Sequence, residues 1–550
     1  MAGSAARAAL LDQELETMQR LDIITLAKQR RNMVIPACRL PAELLTRIAS
    51  FAQLDWAPSR KRGNRVSTLG WIGMSHVCSS WRMVLVSTPS LWCSIPCLEL
   101  SPRCMPDVLA RTRHLGLTLT LTTNTFADAT GPSCAPALRL WMGLPISRRT
   151  RHLLIKDGTE TFRANSWSTL LLHSMPMLES LSINLGQGSS AHARDDLVLP
   201  GDMFGSISPP RLSSIKLSNC SLPWGSGLYS ASVTYLSLIM DPRNTATSPT
   251  FAQFGELFAR LTSLTFLLLH DVFPTSPNPA HLVRLPATLK SVRLGSSANG
   301  TPNDCLGTFI RSELPIQASY SISIAKNRPG FDNDLVSRSI THLFHSPPEP
   351  PVELFLHYRS FVVNFNPRWN ASSMRGGTKW FQKFVDQRQR YLKVSDNQSH
   401  DDALFPNLHR MRLESLKYLN VTGETMSLMN STQNPEWWKS TFTSARHIVG
   451  LAVDYVPELI HLLCALADDS SSLLFPLLKT VILCRYADGQ TGNPVTLAEY
   501  DAAQLQVSLI DFLHVRKQNG ALTLELRVEE GALGPEELRR VEEVVNVVVF

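Results

Sequence analysis

Near residue 100 the apolar positions of this chain change their period. Before that point the spacing is helical. Leu11, Leu15, Met18 and Leu21 recur every three or four residues with charges between them. They predict an amphipathic helix of about three turns that ends before Arg30-Arg31-Asn32 and packs on the helical segments after it, with pairing to a second chain as the alternative. Leu40, Leu44, Leu45, Ile48 and Phe51 predict a second helix, entered at Pro41, whose missing N–H costs nothing in a first turn. Met74, Val77, Trp81 and Leu85 make the stripe of a third, with Ile72, Cys78 and Val84 beside it. In these last two segments apolar residues fill more than one face. So short a segment does not bury two faces within itself, which leaves one for another protein.

Beyond residue 100 the period shortens to two, and apolar bursts recur in the loose form L-x-x-L-x-L. They start at Leu178, Leu212, Val233, Leu264, Leu289, Leu408 and Leu478. The first five starts lie 34, 21, 31 and 25 residues apart. That spacing resembles leucine-rich repeats, whose period is roughly 20–29 residues, with some longer members. Each burst predicts a strand whose alternate residues point inward, and no such unit buries its apolar face alone. Stacked in register, the units share a core and turn Ser182, Lys216, Ser237, Leu268, Arg293, Arg412 and Ile482 outward. Proline precedes several bursts, as in LPATLKSV and LFPLLKTV, a strand-entry position that tolerates it.

The consensus asparagine after the strand is mostly absent, and intervals of 119 and 70 residues before the last two bursts call for degenerate repeats or insertions. The segments 243–250, 273–280 and 296–304 are expected loops, and HSPPEPP at 345–351 an extended connector. Leu522, Leu524 and Leu526 predict a late strand. Leu538, Val541, Val544 and Val548 predict a helix entered at Pro535 that caps the array. The alternative is a non-repetitive α/β or β-rich domain whose strands begin alike.

The ordered set Leu40-Pro41, Glu43-Leu44-Leu45, Ile48, Val77-Cys78, Trp81-Arg82 and Pro89 with Leu91-Trp92 resembles the F-box, in its fungal form. The likeness covers about 55 of the 550 residues. The insert APSRKRGNRVST, Ala57 to Thr68, departs from it and obscures the first helix boundary. The resemblance implies a module that docks on a Skp-family adaptor through Leu40, Pro41, Leu44, Leu45, Ile48, Val77, Cys78, Trp81, Leu91 and Trp92. Through that adaptor it implies a cullin–RING ubiquitin ligase.

Composition narrows the function. Hydrophobic residues make up 44% and charged residues 18%, ordinary for a folded chain and too apolar for a disordered one. No uncharged apolar run reaches the about 18 residues a membrane span needs, and Asp12 and Glu14 interrupt any signal-like start. An intracellular protein, cytoplasmic or nuclear, is expected. The net charge of +7 is small for this length. Basic residues are not interleaved with stacking aromatics, so no nucleic-acid partner is expected. The ten cysteines lack paired spacing and read as reduced, mostly buried side chains. Cys93, Cys97, Cys104 and His114 match no zinc pattern.

No GxSxG, P-loop or HExxH occurs. Gly186-x-Gly188-x-x-Ala191 follows a strand, but it lacks the later acidic residue that a dinucleotide turn needs. His76 reads as a partly buried structural histidine, and Arg60-Lys61-Arg62 with Arg65 as a solvated loop, with a nuclear-import patch as the alternative.

The expected fold is α+β or α/β. An amphipathic helix (1–34) precedes the helical module (35–98), a connector with a first strand (99–145) and a leucine-rich-repeat-like array with its capping helix (146–550). The expected function is a substrate-recognition adaptor of a Skp–cullin–F-box type ligase, not an enzyme, with no cofactor and no metal. Lys216, Arg293 and Arg412 would favour an acidic or phosphorylated protein target whose identity is not legible. A ligase-independent scaffold built on the same module stays open, as does an enzyme without a recognisable motif.

Overall fold

The computed structural model describes residues 2–60, 67–97, 99–100, 102–122, 140–157, 171, 173–185, 198–205, 208–242, 248–274, 282–325, 331–345, 350–357, 360–365, 389–395, 407–408, 411, 413–429, 435–468, 473–486, 499–519 and 524–550. They form two compact units, Met1–Leu228 and Tyr229–Phe550.

The first unit opens with α1 (Ala2–Val34), which runs through the arginines where the sequence pattern predicts its end. Every described side chain from Gln13 to Arg31 is exposed, including Met18 and Leu21. The expected packing of this stripe on the module is therefore absent among the described side chains. A 3-10 turn, Pro36–Arg39, leads to α2 (Ala42–Asp55). The 3-10 helix Gly70–His76, α3 (Ser79–Ser87) and a last 3-10 turn, Pro89–Trp92, complete the module.

The insert does not disrupt these helices. β1 (Ser59–Arg60) pairs antiparallel with β2 (Ser67–Thr68), and the Trp71 N–H donates to the Trp56 carbonyl at 2.7 Å. Gly70 makes this closure with φ +55°. A Cβ there would lie 2.5 Å from the Trp56 oxygen, so only glycine fits.

The same unit holds five strands. They are β3 (Ser94–Pro96), β4 (Leu117–Thr122), β5 (Thr150–Asp157), β6 (Ser180–Leu185) and β7 (Ser214–Ser218), parallel and in chain order. The sheet therefore begins well ahead of residue 146.

The second unit carries β8 (Tyr235–Ile239), β9 (Phe266–His270), β11 (Ser291–Ser296) and β13 (Ser319–Ala325), again parallel neighbours. A separate parallel pair joins β10 (Val283–Arg284) to β12 (Ser312–Glu313). The order then reverses. β13 pairs with β16 (Gln389–Ser395), which runs antiparallel to β15 (Ser360–Asn364), itself antiparallel to β14 (Glu353–His357). β14 resumes the parallel run with β17 (Tyr418–Val421), β18 (Gly450–Asp454), β19 (Thr480–Cys484), β20 (Glu525–Val528) and β21 (Asn546–Val549).

One local device recurs and explains the sequence pattern. In every burst but that of Leu408, the first apolar residue is not in the strand. It closes a tight turn, as Leu212 N–H to Pro209 O, Leu264 to Leu261, Leu289 to Pro286 and Leu478 to Phe475, and is buried beneath the strand it precedes. The next residue's N–H then reaches the preceding unit: Ser213 to Glu179, Lys290 to Thr265, Lys479 to Val449. The burst thus encodes turn, cross-link and strand in six positions. Where a ninth-position side chain could join neighbouring units, Cys220 stands, its thiol 3.8 Å from the Ile183 carbonyl. Beside it Asn219 donates to the Leu185 carbonyl at 2.7 Å from a left-handed backbone, φ +57°.

Several expectations need correction. Leu408-Met411-Leu413 is not a strand register; the unit's strand is β17, set by Leu416, Leu419 and Val421. The 119-residue interval holds β13 to β16, and the 70-residue interval holds β18, introduced by Ile448, Leu451 and Val453. The C-terminal helix spans only Pro535–Glu542, and Val548 lies in β21, so a strand follows the expected cap. Apart from Asn546 the run of Val544 to Val549 is β-branched, which suits a pleated strand better than a helix. The segment 296–304 is not all loop, because a helix starts at Pro302. The late strand spans Glu525–Val528. Residues 243–247, 275–280 and 346–349, Leu522 and Gly186 to Ala191 lie outside the described residues.

Candidate docking site

The helical module is held by an aromatic core. Trp71 and Trp92 are buried with ring centroids 5.2 Å apart, and the Trp92 indole donates to the Leu85 carbonyl at 2.8 Å. Arg111 of α4 (Met105–Thr112) stacks over Trp92 at 4.3 Å. Leu45, Ala49, Leu85 and Leu91 fill the rest of this core. Gln53 donates to the Leu91 carbonyl at 2.5 Å, tying α2 to the last turn.

The opposite stripe of α2 is bare. Leu44 is 48% exposed, Ile48 41% and Phe51 59%, at i, i+4 and i+7 on one face. Val77, at the entry to α3, is 54% exposed. Leu40, Cys78 and Trp81 are half-buried, and Pro41 is exposed. The Trp81 indole donates to the Ala37 carbonyl at 2.9 Å, which holds the Pro36–Arg39 turn against α3.

Thus Leu40, Pro41, Leu44, Ile48, Val77, Cys78 and Trp81 are reachable by a partner. Leu45, Leu91 and Trp92 are not, because they form the module's own core. Phe51 extends the exposed stripe; its place three residues after Ile48 was a signal for including it. His76 is exposed, not partly buried. Lys61, Arg62 and Arg65 lie outside the described residues.

The expected target face is less uniform. Lys216 is exposed on β7, in the first unit. Arg293 is half-buried on β11, in the second, with its guanidinium 5.4 Å over the Phe266 ring. Phe266 stacks on its register neighbour Tyr235 with centroids 4.4 Å apart. Ser182 and Leu268 are half-buried, but Ser237 and Ile482 are buried, contrary to an outward row. Arg412 lies outside the described residues.

Burial of both alternating sets is strongest in β14, β15 and β17 to β19. Phe355, Val362, Asn420, Ala452 and Ile482 are buried along with their inward neighbours, and Phe550 packs against Ala452, Ile482 and Cys484. One carboxylate in this covered region is held by two amides. The buried Glu353 carboxylate accepts from Asn364 at 2.7 Å and Asn420 at 2.8 Å, while burial raises its pKa above the usual carboxylate range.

One polar cluster resembles a catalytic arrangement. His270, Asp271 and Ser296 meet at the ends of β9 and β11, but the aspartate stands between the other two. Ser296 Oγ donates to Asp271 at 2.9 Å and His270 Nδ1 lies 3.1 Å from the same carboxylate. A serine activated by histidine needs the imidazole between them. Burial pushes the Asp271 pKa up, yet hydrogen bonds from His270, Ser297 and Ser296 bring it below its ordinary value. This carboxylate joins neighbouring loops, since it also accepts the Ser297 N–H at 3.1 Å. Burial lifts the Cys97 and Cys220 thiols to about 12, which leaves them inert. Among the described residues no three His, Cys, Asp or Glu side chains are grouped to hold a metal ion. None of the described helices is long and apolar enough to cross a membrane.

No protein-family model matches this chain, and no curated protein does. Among solved structures it is similar to the leucine-rich repeat-containing protein LegL7 from Legionella pneumophila, at 12% identity and a TM-score of 0.26. That alignment covers 67% of this chain and 90% of the other. At this score the likeness carries no argument. The repeat-like α/β architecture stands on the strand registers and on the recurring turn.

Proposed function

We propose that the chain is a substrate-recognition adaptor of a Skp–cullin–F-box type ubiquitin ligase. Its helical module docks on a Skp-family adaptor and its repeat-like sheets hold the target. One observation carries this reading: Leu44, Ile48 and Val77 stay exposed although the core beneath them, Leu45, Ala49, Leu85 and the two tryptophans, is complete. Large apolar side chains clustered on a finished surface mark a partner site. They fall at positions that the F-box resemblance assigns to docking. Catalysis would come from proximity, by bringing the target beside a ubiquitin-charged enzyme, which raises the effective concentration of the two reactants.

Co-purification tests it. The full chain is expected to retain a Skp-family adaptor together with a cullin, and the Leu44→Glu, Ile48→Glu double variant is expected to retain neither while keeping its circular-dichroism melt. Retention of the Skp adaptor without a cullin would identify a ligase-independent scaffold instead. Full retention by a folded double variant would remove this face from consideration. For the target, Tyr235, Phe266 and Arg293 offer stacked aromatics and a cation, the side-chain types that dominate binding hot spots.

A further inference from the structure

Two thiols meet at the edge of this module. Cys38, in the 3-10 turn before α2, lies beside Cys78 at the start of α3, although the two are 40 positions apart in sequence. The approach is held from both sides. Ala37, next to Cys38, is bonded to the Trp81 indole at 2.9 Å, and Trp81 sits one turn along α3 from Cys78. Cys78 is the N-cap of α3, and its sulfur accepts the Trp81 N–H at 3.5 Å. Both thiols are free and half-buried, so a small oxidant reaches them. Cys97, Cys220, Cys305 and Cys484 are buried.

We propose that Cys38 and Cys78 are a peroxide-oxidisable thiol pair that closes to a disulfide across the docking edge of the module. The oxidant is a hydroperoxide. The Cys78 sulfur attacks one peroxide oxygen: an S–O bond forms, the O–O bond breaks, and the departing oxygen takes the thiol proton to leave as water or an alcohol. The sulfenic acid so formed is attacked by the Cys38 sulfur. The S–S bond forms, the S–O bond breaks, and hydroxide leaves as water with the proton that Cys38 gives up. Two thiols are oxidised by two electrons and one hydroperoxide is reduced.

The roles follow from position. A sulfur that accepts a helix N-terminal N–H faces the positive end of that helix, which suits the negative charge of the first attack. Desolvation and the neighbouring Cys78 raise the Cys38 pKa, which fits a thiol that acts second, once its partner is oxidised. The bond would pin the segment leading to Leu40 and Pro41 to the start of α3, where Val77 and Trp81 lie. Its formation does not depend on the identity of any docked protein.

Peptide mapping of the full chain decides the matter. The reduced protein is exposed to hydrogen peroxide, its remaining thiols are alkylated, and the digest is read by mass spectrometry. The expected result is a linked Cys38–Cys78 peptide pair that reverts with dithiothreitol, while exposed Cys104 and Cys464 remain alkylatable. In Cys38→Ser the sulfenic acid at Cys78 should persist, raising dimedone labelling there by roughly tenfold over the wild type. The inference is overturned if Cys38 and Cys78 stay alkylatable at a peroxide dose that oxidises Cys104 or Cys464, or if each is found oxidised without a link. Mapping of the wild-type chain gives this answer even if the serine variant does not fold. It reads no partner, so its failure and failure of the docking proposal are separate outcomes.

Discussion

The helical module and the β14–β19 stretch of the second unit treat apolar side chains in opposite ways. In the module, Leu45 is buried while its neighbour Leu44 is nearly half exposed. In the sheet, both alternating sets are buried, so that Ile482 is as inaccessible as Val481. An apolar residue facing outward from a strand or helix is thus no measure of a free surface. What matters is whether the core beneath it is complete and whether another element covers it. The module satisfies the first condition without the second, and the β14–β19 stretch satisfies both.

The sharpest way to break this comparison is to truncate the module's core. Trp92→Ala removes a ring that packs on Trp71, accepts the Arg111 stack and bonds the Leu85 carbonyl; a loss of about 3–5 kcal/mol is expected. Ile482→Ala in the covered sheet should cost about 2–5 kcal/mol if both faces there are packed. Chemical denaturation of each variant reads these values, and a near-neutral Ile482→Ala would mean that the covering is loose.

Next in size is the bare stripe. Leu44→Ala with Ile48→Ala is expected to weaken capture of the docked adaptor by roughly 100-fold, about 2.7 kcal/mol, with little change in melting temperature. A titration of partner against purified protein, beside a melt, separates the two quantities. A large drop in melting temperature would place these side chains in the core with Leu45.

A pH test probes the end of β18. Burial pushes the Asp454 carboxyl up to about 7, the nearby Glu529 and Glu424 carboxylates add to this, and the Gly423 N–H, bonded at 2.7 Å, opposes it. An unfolded aspartate loses its proton near pH 4, so between about pH 4 and 7 the folded chain holds a proton that the unfolded chain has released. Stability from this group is therefore highest at low pH and falls until about pH 7. Asp454→Asn keeps an acceptor for Gly423 and removes the titration. It should raise stability at pH 8 by about 2 kcal/mol and give no gain near pH 4. Melts across that range check the sign.

The smallest expected effect concerns the target face. Arg293→Glu leaves the Tyr235–Phe266 stack in place and reverses one charge over it. A several-fold loss of target recovery, with adaptor binding intact, is expected at moderate salt. Equal recovery would exclude this stack as a contact.

The strands that were legible owe it to local information. Leu264, Leu267 and Leu269 specify a buried turn residue and two inward strand positions, and the following N–H has only the preceding unit to reach. The same logic located the strands after Leu178, Leu212, Val233, Leu289 and Leu478, and placed the module's helices at Leu44 and Trp81.

The sequence by itself thus determined where the units opened by Leu178, Leu212, Val233, Leu264, Leu289 and Leu478 start, and which residues are apolar enough to be core or contact. Only the tertiary structure decided between Leu44 and Leu45, because helical periodicity marks two apolar stripes without saying which one the tryptophans fill. It alone chose Leu416 over Leu408 as the unit's turn, since both fit the pattern and hydrogen-bond register with Val352 and Val449 selects one. It set β15 against the parallel run and placed β16 before β14 in the sheet, where continuous apolar stretches such as ELFLH and SFVVN carry no alternation to give direction. And it covered Ile482, because burial of an outward face depends on elements distant in sequence, such as Phe550, that no local period records.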